Sequence, residues 1–333
     1  MALTPISPDG SDRIFERVIW HGARAVKIMP SPGEGGRAEA LSFYNIGRYL
    51  FRNGLHAPEI FFFDENDFSM VVEDLGDRLF FSHVSELCVS AREADLLHGY
   101  RMAIDMLTDL QARASRDFDT AWCCDTVEYN AALAFEREAM YFLREFVSGI
   151  MGLEYHDRLV AELAEFADKV DAFPLKLFLH RDFQSRNIMI KEGGLRIIDF
   201  QAARLGPAGY DAASLIFDPY IPMPDGVRDI LLDYYCARAV EAGVSRGRNP
   251  DEMRREVKVT GVLRLMQAIG AYAFLSTRKK RAFFSGYIDP ALAVLGSLLY
   301  VMDEHDSLPV LESLVREICE KRFSGVSDVL SPQ

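Results

Sequence analysis

The spacing of hydrophobic residues divides the chain into a first part that alternates like strands and a longer second part with helical periodicity. A turn at His21-Gly22 joins the first two strands, and Gly54 ends the one helix of this part. The elements predicted here are four strands, over residues 13–20, 23–29, 59–64 and 68–73, and a helix over residues 37–52.

From Asp77 onward the pattern is helical, with apolar residues recurring every three or four positions. Asn130 is a suitable N-cap for one of these helices. Helices are predicted over residues 91–113, 130–146, 155–170, 226–242, 251–276, 291–302 and 309–321. The pattern predicts an α+β fold of two lobes. The N-lobe, residues 1–76, is a small antiparallel sheet with one helix, and the C-lobe, residues 77–333, is larger and mainly helical.

One stretch of the C-lobe departs from the helical pattern, residues 177–200, LFLHRDFQSRNIMIKEGGLRIIDF. Short apolar runs flank a polar loop, and Gly193-Gly194 makes a tight hairpin turn, so three polar groups converge at one end of a hairpin. The Asp182 carboxylate can accept a proton from a hydroxyl, while Asn187 and Asp199 are hard oxygen ligands that suit Mg²⁺.

The spacing of these residues is specific. H-R-D-x-x-x-x-N followed by D-F is the catalytic-loop and metal-loop signature of kinases. A buried hairpin with incidental polar residues would explain either half of the signature alone. The full combination on a strand-loop-strand pattern favours phosphoryl transfer, with the catalytic and metal loops at residues 180–199.

Two residues of the N-lobe are candidates for contacts with a nucleotide. Lys27 stands in the second predicted strand, at a position where kinases carry the lysine that reaches the α- and β-phosphates. Glu39 lies in the first turn of the predicted helix and can hold that lysine, with Glu34 or Glu16 as alternatives. A solvent-facing glutamate that favours the helix dipole is the competing interpretation of Glu39.

Backbone groups supply the other predicted nucleotide contacts. A loop containing Ser11 would cover the phosphates, although it lacks a glycine-rich run and also reads as a plain surface turn. The backbone of Val72, Glu73 and Asp74, where the last strand passes into the C-lobe, would offer hydrogen bonds to an adenine. This placement rests on position along the chain.

The composition of the chain limits which binding partners and which cellular compartment we expect. The net charge of -13 argues against nucleic acid or an anionic membrane as the main partner, but a lysine and Mg²⁺ can neutralise a nucleotide locally. Five cysteines, an odd number without zinc spacing, predict free thiols in a reducing compartment. No signal peptide is visible, and the apolar segment 290–302 is too short to span a bilayer. The basic run 278–281 reads as a solvated cluster. We expect a soluble cytoplasmic protein.

The motifs resemble the aminoglycoside phosphotransferase/choline kinase superfamily, which has the protein-kinase-like fold. HRDFQSRNIMI followed by IIDFQAARLGPAGYD is most similar to the bacterial anomeric kinases that phosphorylate N-acetylmuramic acid and N-acetylglucosamine at C1 in cell-wall recycling. SDRIFERV, VEDLGD and FEREAMYFLREF extend the resemblance over most of the chain.

The resemblance implies an ATP- and Mg²⁺-dependent kinase for a small-molecule acceptor, most closely an amino sugar. Asp182 would be the base, Asn187 and Asp199 the metal ligands, and Lys27 the phosphate lysine. Gln184 and Ala202 stand where the subgroup often has histidine and aspartate, and these departures bear on sugar specificity.

Two alternatives remain open at this point. The same fold can act on another acceptor, such as an aminoglycoside, a choline-like amine or homoserine, or it can be a nucleotide-binding pseudokinase. About ten residues separate Asp199 from Asp211, which leaves no room for an activation loop and favours a constitutively assembled site. Asp211 is predicted to cap a helix, with a second role as an acceptor of backbone N–H groups of the catalytic loop.

Overall fold

The computed structural model describes residues 4–6, 12–224 and 226–323. Its first part is a five-stranded antiparallel sheet with the spatial order β1-β2-β3-β5-β4. The strands are β1 Thr4–Ile6, β2 Ile14–Trp20, β3 Ala23–Met29, β4 Ile60–Phe63 and β5 Met70–Glu73. The four predicted strands are confirmed. β1 was missed because three residues are too short to show alternation.

A single long helix, α1 (Gly33–Arg52), covers one face of this sheet. It begins four residues before the prediction because the chain enters the helix directly after Pro32. Gly47 lets α1 approach closely, since a Cβ there would lie 2.8 Å from Ile60 Cδ1 and 3.1 Å from the Phe200 ring. Phe43 of α1 also stacks on Phe200, with ring centroids 4.4 Å apart. This helix therefore joins the sheet to the predicted metal loop.

The remainder of the described chain is mainly helical, in agreement with the predicted α+β organisation. The lobe boundary at residue 76 stays a prediction, and the sheet itself ends at Glu73. The helices are α2 Phe80–Val89, α3 Glu93–Ala114, α4 Ala131–Ala134, α5 Asp157–Ala172, α6 Gly209–Ile216, α7 Val227–Glu241, α8 Pro250–Thr277, α9 Ile288–Tyr300 and α10 Pro309–Phe323. Asn130 caps α4 as predicted, its side chain accepting from the Leu133 N–H, and two π-helical stretches continue α4 to Ser148.

Two small antiparallel pairs carry the polar loops. β6 (Leu177–Leu179) pairs with β9 (Arg204–Gly206), and β7 (Ile188–Lys191) pairs with β8 (Gly194–Ile197). The hairpin around Gly193-Gly194 is confirmed. Because β6 pairs with β9, the catalytic loop is held between two separate ladders.

Helix α8 is the central helix of the C-lobe. By length and composition alone, Pro250–Thr277 and Ala282–Tyr300 could each cross a membrane. In α8, however, 72% of the apolar window is buried inside the protein, where α6, α7 and α9 pack against it. Its apolar composition is therefore that of a core helix. All five cysteines are free thiols, as predicted.

Candidate active site

Asp211 anchors the first half of the catalytic loop, which follows β6. Its buried carboxylate accepts hydrogen bonds from the backbone N–H groups of His180 (2.6 Å) and Arg181 (2.9 Å). Arg181 has a φ of 79°, a left-handed conformation that these bonds help to hold. Burial raises the pKa of Asp211 to about 7, while the two N–H donors oppose that rise. The predicted role of Asp211 as an acceptor of catalytic-loop N–H groups is confirmed. The predicted capping role is wrong, because α6 begins at Gly209 and Asp211 lies inside its first turn.

A second buried carboxylate, Asp218, anchors the other half of the loop. It accepts from the Ser185 N–H (2.9 Å), the Ser185 hydroxyl (2.6 Å) and the Tyr220 N–H (2.9 Å). Burial raises its pKa against these donors. No motif in the sequence predicted a role for Asp218. An aspartate within the apolar run after Asp211 was the available signal.

We expect Asp218→Ala to lower the free energy of unfolding by about 3 kcal/mol, because it leaves buried donors of Ser185 and Tyr220 without an acceptor. Urea unfolding followed by circular dichroism measures the change. Asp218→Asn is the matched control, since it keeps an acceptor oxygen and should lose less. An alanine variant within about 0.5 kcal/mol of the wild type would contradict the anchoring role.

The hairpin β7-β8 brings Asn187 and Asp199 together. The Ile198 N–H donates to the Asn187 carbonyl (3.0 Å), so Asp199 follows directly beside Asn187. Asn187 Nδ2 donates to the Asp182 carbonyl (2.9 Å), which leaves the amide oxygen Oδ1 for another partner. The ring of His180 makes a 3.0 Å contact with the Ile198 carbonyl and ties the catalytic loop to the metal loop. The three predicted groups therefore share one small region.

The donor set of this region fits Mg²⁺. One carboxylate and one amide oxygen are hard ligands, and Mg²⁺ in kinases completes its octahedron with phosphate oxygens and water. The described residues contain no group of three or more acidic, cysteine or histidine side chains that could hold a metal alone. Asn187 and Asp199 would hold the Mg²⁺.

An arginine of the N-lobe pairs with Asp199 in this structure. Arg13, just before β2, forms an ion pair with Asp199 and donates to Gln201 Oε1 (3.2 Å). Gln201 Nε2 in turn donates to Asp199 Oδ1 (3.1 Å). The carboxylate predicted to bind a metal is thus already paired with a cation. Arg13 was not among the predicted site residues, although it lies within the SDRIFERV stretch.

A second set of ion pairs also joins the N-lobe to the C-lobe. Asp12 pairs with Lys279 (3.3 Å) and Arg281 (3.2 Å), which follow α8. Residues 278–280 are exposed, as expected for a solvated cluster, and Lys279 and Arg281 add these ion pairs with Asp12. The pairs are half-exposed, so each contributes little to stability.

Arg264, in the middle of α8, contacts the catalytic loop. Its guanidinium donates to Asp182 Oδ1 (3.1 Å) and to Gln184 Oε1 (3.2 Å). Burial raises the pKa of Asp182, but the cationic Arg264 and Arg181 outweigh burial, so the pKa stays below its ordinary value. Gln184, one of the two departures from the amino-sugar kinases, is thus a partner of Arg264. The other, Ala202, contributes its carbonyl to Arg204 (3.1 Å).

The N-lobe side chains predicted to contact a nucleotide are Lys27 and Glu39. Lys27 lies in β3 opposite Glu16 of β2 and Val71 of β5. No ion pair joins Lys27 to Glu39, Glu34 or Glu16 within the described residues. The Lys27–Glu39 pair stays a prediction. Ser11 lies outside the described residues.

The predicted adenine segment is fastened to the catalytic hairpin. Val72 pairs with Val26 in the sheet, and Glu73 ends β5. Lys191 of β7 forms an ion pair with Glu73 and donates to the Asp74 carbonyl (3.1 Å). These contacts of Lys191 were not predicted from the sequence, because its partners lie more than a hundred residues away along the chain.

Comparisons with known proteins agree with this arrangement. Residues 2–254 match the family described as the phosphotransferase enzyme family. An N-acetylmuramate/N-acetylglucosamine kinase of Pseudomonas aeruginosa is 26% identical over 314 residues, which cover 89% of this chain and 87% of that protein. The kinase of the same name from Neisseria meningitidis serogroup B is 30% identical over 284 residues, 83% of this chain and 79% of that one.

Solved structures share the fold at low identity. A choline kinase from Cryptosporidium parvum superposes with a TM-score of 0.60 at 14% identity, over 90% of this chain and 88% of that one. A thermostable mutant of the aminoglycoside phosphotransferase APH(4)-Ia gives a TM-score of 0.51 at 16% identity, over 89% of this chain and 94% of that one. A ternary complex of streptomycin, ATP and APH(2")-IIa gives 0.52 at 15% identity, over 92% and 94%. The predicted kinase-like fold is confirmed.

Proposed function

Since this chain belongs to the phosphotransferase enzyme family and is a small-molecule kinase, we propose that it transfers a phosphoryl group from ATP, with Mg²⁺, to an amino sugar of the N-acetylmuramate/N-acetylglucosamine type. One observation carries the proposal. Asp182, Asn187 and Asp199 converge at the end of one hairpin in a chain that is 26% to 30% identical to kinases of that name.

The catalytic loop supplies the proton acceptor. Asp182 is anchored through its neighbours by Asp211 and Asp218, and about a third of its side chain is exposed to the cleft (31%). Its carboxylate orients an acceptor hydroxyl and takes the proton as the phosphoryl group transfers. Mg²⁺, when bound by Asn187 and Asp199, neutralises charge on the β- and γ-phosphates. Positioning and charge supply most of the catalysis.

The N-lobe supplies the nucleotide contacts in this proposal. Lys27 aligns the phosphates and Glu39 holds Lys27 once a nucleotide is bound. The backbone of residues 72–74 receives the adenine, and Ser11 covers the phosphates. The short span between Asp199 and Asp211 leaves no room for an activation loop, so the site does not depend on one. We place the reaction in the cytoplasm, where ATP and reduced thiols coexist.

A coupled assay of ADP formation tests this function. Purified protein with ATP and Mg²⁺ is offered N-acetylmuramic acid, N-acetylglucosamine, the methyl glycoside of N-acetylglucosamine, aminoglycosides, choline and homoserine. We expect turnover on the two free acetylated sugars only, with loss of their reducing ends as C1 is phosphorylated. The methyl glycoside, whose C1 oxygen is blocked, is the matched control.

Each other outcome has a distinct meaning. Turnover of the methyl glycoside would move the reaction to another hydroxyl. Turnover only on choline, homoserine or an aminoglycoside would keep the kinase and exclude the amino sugar. Nucleotide binding without turnover of any acceptor would favour a pseudokinase.

A further inference from the structure

We propose that Arg264 is the positioning residue of Asp182: its guanidinium fixes one carboxylate oxygen so that the other faces the acceptor hydroxyl. The inference rests on the proposed function, because it assigns Asp182 the role of proton acceptor. It adds a residue that lies 82 positions away along the chain and on a different element.

The burial of Arg264 indicates that it has a specific role. It is the single charged residue between Lys258 and Arg278, in a mostly apolar stretch of α8, and only 8% of it is exposed. Burying a guanidinium costs several kcal/mol unless its donors are paired. A leucine or methionine would fill the same space in a core helix without that cost. An arginine at this position therefore destabilises the core compared with an apolar residue, but it places a positive charge beside the catalytic loop.

The contacts of Arg264 fix its direction. Its Nε donates to Ser214 Oγ on α6 (3.2 Å), and Nη1 contacts Gln267 one turn further along α8. Nη2 is then directed at Asp182 Oδ1 (3.1 Å) and Gln184 Oε1 (3.2 Å). A planar guanidinium held at two of its three nitrogens has little freedom at the third.

The geometry at Asp182 divides its two oxygens between two tasks. Oδ1 accepts from Arg264, whereas no hydrogen bond within the described residues occupies Oδ2. The carboxylate therefore cannot rotate freely, and Oδ2 is the oxygen left for an incoming hydroxyl. An unrestrained carboxylate would sample orientations in which neither oxygen meets the acceptor, and a misplacement of about 1 Å can cost roughly a hundredfold in rate.

The test compares Arg264→Gln, Arg264→Lys and the control Arg255→Gln. Arg255 is on the same helix but pairs with Asp306 (2.6 and 2.8 Å), away from the catalytic loop. We expect Arg264→Gln to lower kcat about a hundredfold while the affinity for Mg²⁺·ADP, measured by calorimetry, stays within about twofold. Arg255→Gln should keep the wild-type kcat.

Two further measurements separate positioning from folding. Arg264→Lys keeps a charge without the planar fork, so its kcat should fall between those of the wild type and Arg264→Gln. Arg264→Ala should regain activity when guanidinium ions are added at millimolar concentration, whereas a misfolded variant should not. If Arg264→Gln does not fold, the lysine variant and the guanidinium rescue still decide the question.

A wild-type kcat in Arg264→Gln or Arg264→Lys would overturn the inference. An equal loss of Mg²⁺·ADP affinity and kcat would also overturn it, because the residue would then support the nucleotide site. Turnover is measured on the best acceptor found, or as slow ATP hydrolysis if no sugar is used. If the amino-sugar proposal fails, the assay uses another acceptor, and the expected ratio of kcat between the variants and the wild type stays the same. If this inference fails, that ratio is not observed.

Discussion

Replacing Asp182 with asparagine is expected to lower kcat about a thousandfold, because the variant keeps the size of the side chain but cannot accept the proton of the acceptor hydroxyl. The asparagine oxygen can still accept from Arg264, so the loop should keep its anchors at Asp211 and Asp218. Steady-state kinetics with saturating ATP and the best acceptor measure the loss. The KM for ATP should change little.

The control for this prediction is Asp168→Asn, an exposed aspartate of α5 outside the site, which should retain full activity. A similar loss in both variants would indicate a general effect of removing a carboxylate. Full turnover by Asp182→Asn would exclude Asp182 as the base. In that case the acceptor would lose its proton to solvent or to its own phosphoryl donor.

Asp199→Asn is expected to lower kcat about a thousandfold, through loss of the one carboxylate that the metal loop offers to Mg²⁺. A readout apart from catalysis is the binding of ADP with Mg²⁺ compared with ADP in EDTA. The wild type should bind ADP more tightly with the metal, and the variant should bind it equally in both conditions. Calorimetry measures the two affinities.

Arg13→Gln is the companion variant, because Asp199→Asn also weakens the pair with Arg13. If Arg13→Gln keeps the metal dependence of ADP binding, the loss in Asp199→Asn belongs to the carboxylate itself. An Asp199→Asn protein whose ADP affinity still rises with Mg²⁺ would exclude Asp199 as the main ligand.

The parts of the site that the sequence predicted are local. Asp182, Asn187 and Asp199 lie within one strand-loop-strand unit, where a turn and two short ladders fix their relative positions. Spacing along the chain is then equivalent to spacing in the fold. The sheet and the long helices were predictable for the same reason, since alternation and helical period are properties of neighbouring residues.

The parts that the sequence did not predict depend on contacts between distant residues. Arg264 meets Asp182 across 82 residues, and Arg13 meets Asp199 across 186. No local spacing encodes such pairs. The sequence could not decide between the two roles predicted for Asp211, because an aspartate near the start of a helix can cap that helix or accept hydrogen bonds from another loop. Its use was decided by the catalytic loop lying within reach of its carboxylate.

If Asp199 holds the metal as proposed, the ion pair between Arg13 and Asp199 competes with that metal for the same carboxylate. Arg13 and Gln201 both donate to Oδ1 of Asp199, so a metal that binds through this oxygen would have to displace Arg13. In that case the apparent affinity for the metal-loaded nucleotide would be the intrinsic affinity multiplied by the fraction of molecules in which Asp199 is released from Arg13. The nucleotide concentration that half-occupies the protein would then depend on Arg13, a residue that makes no contact with Asp199 once the metal is bound.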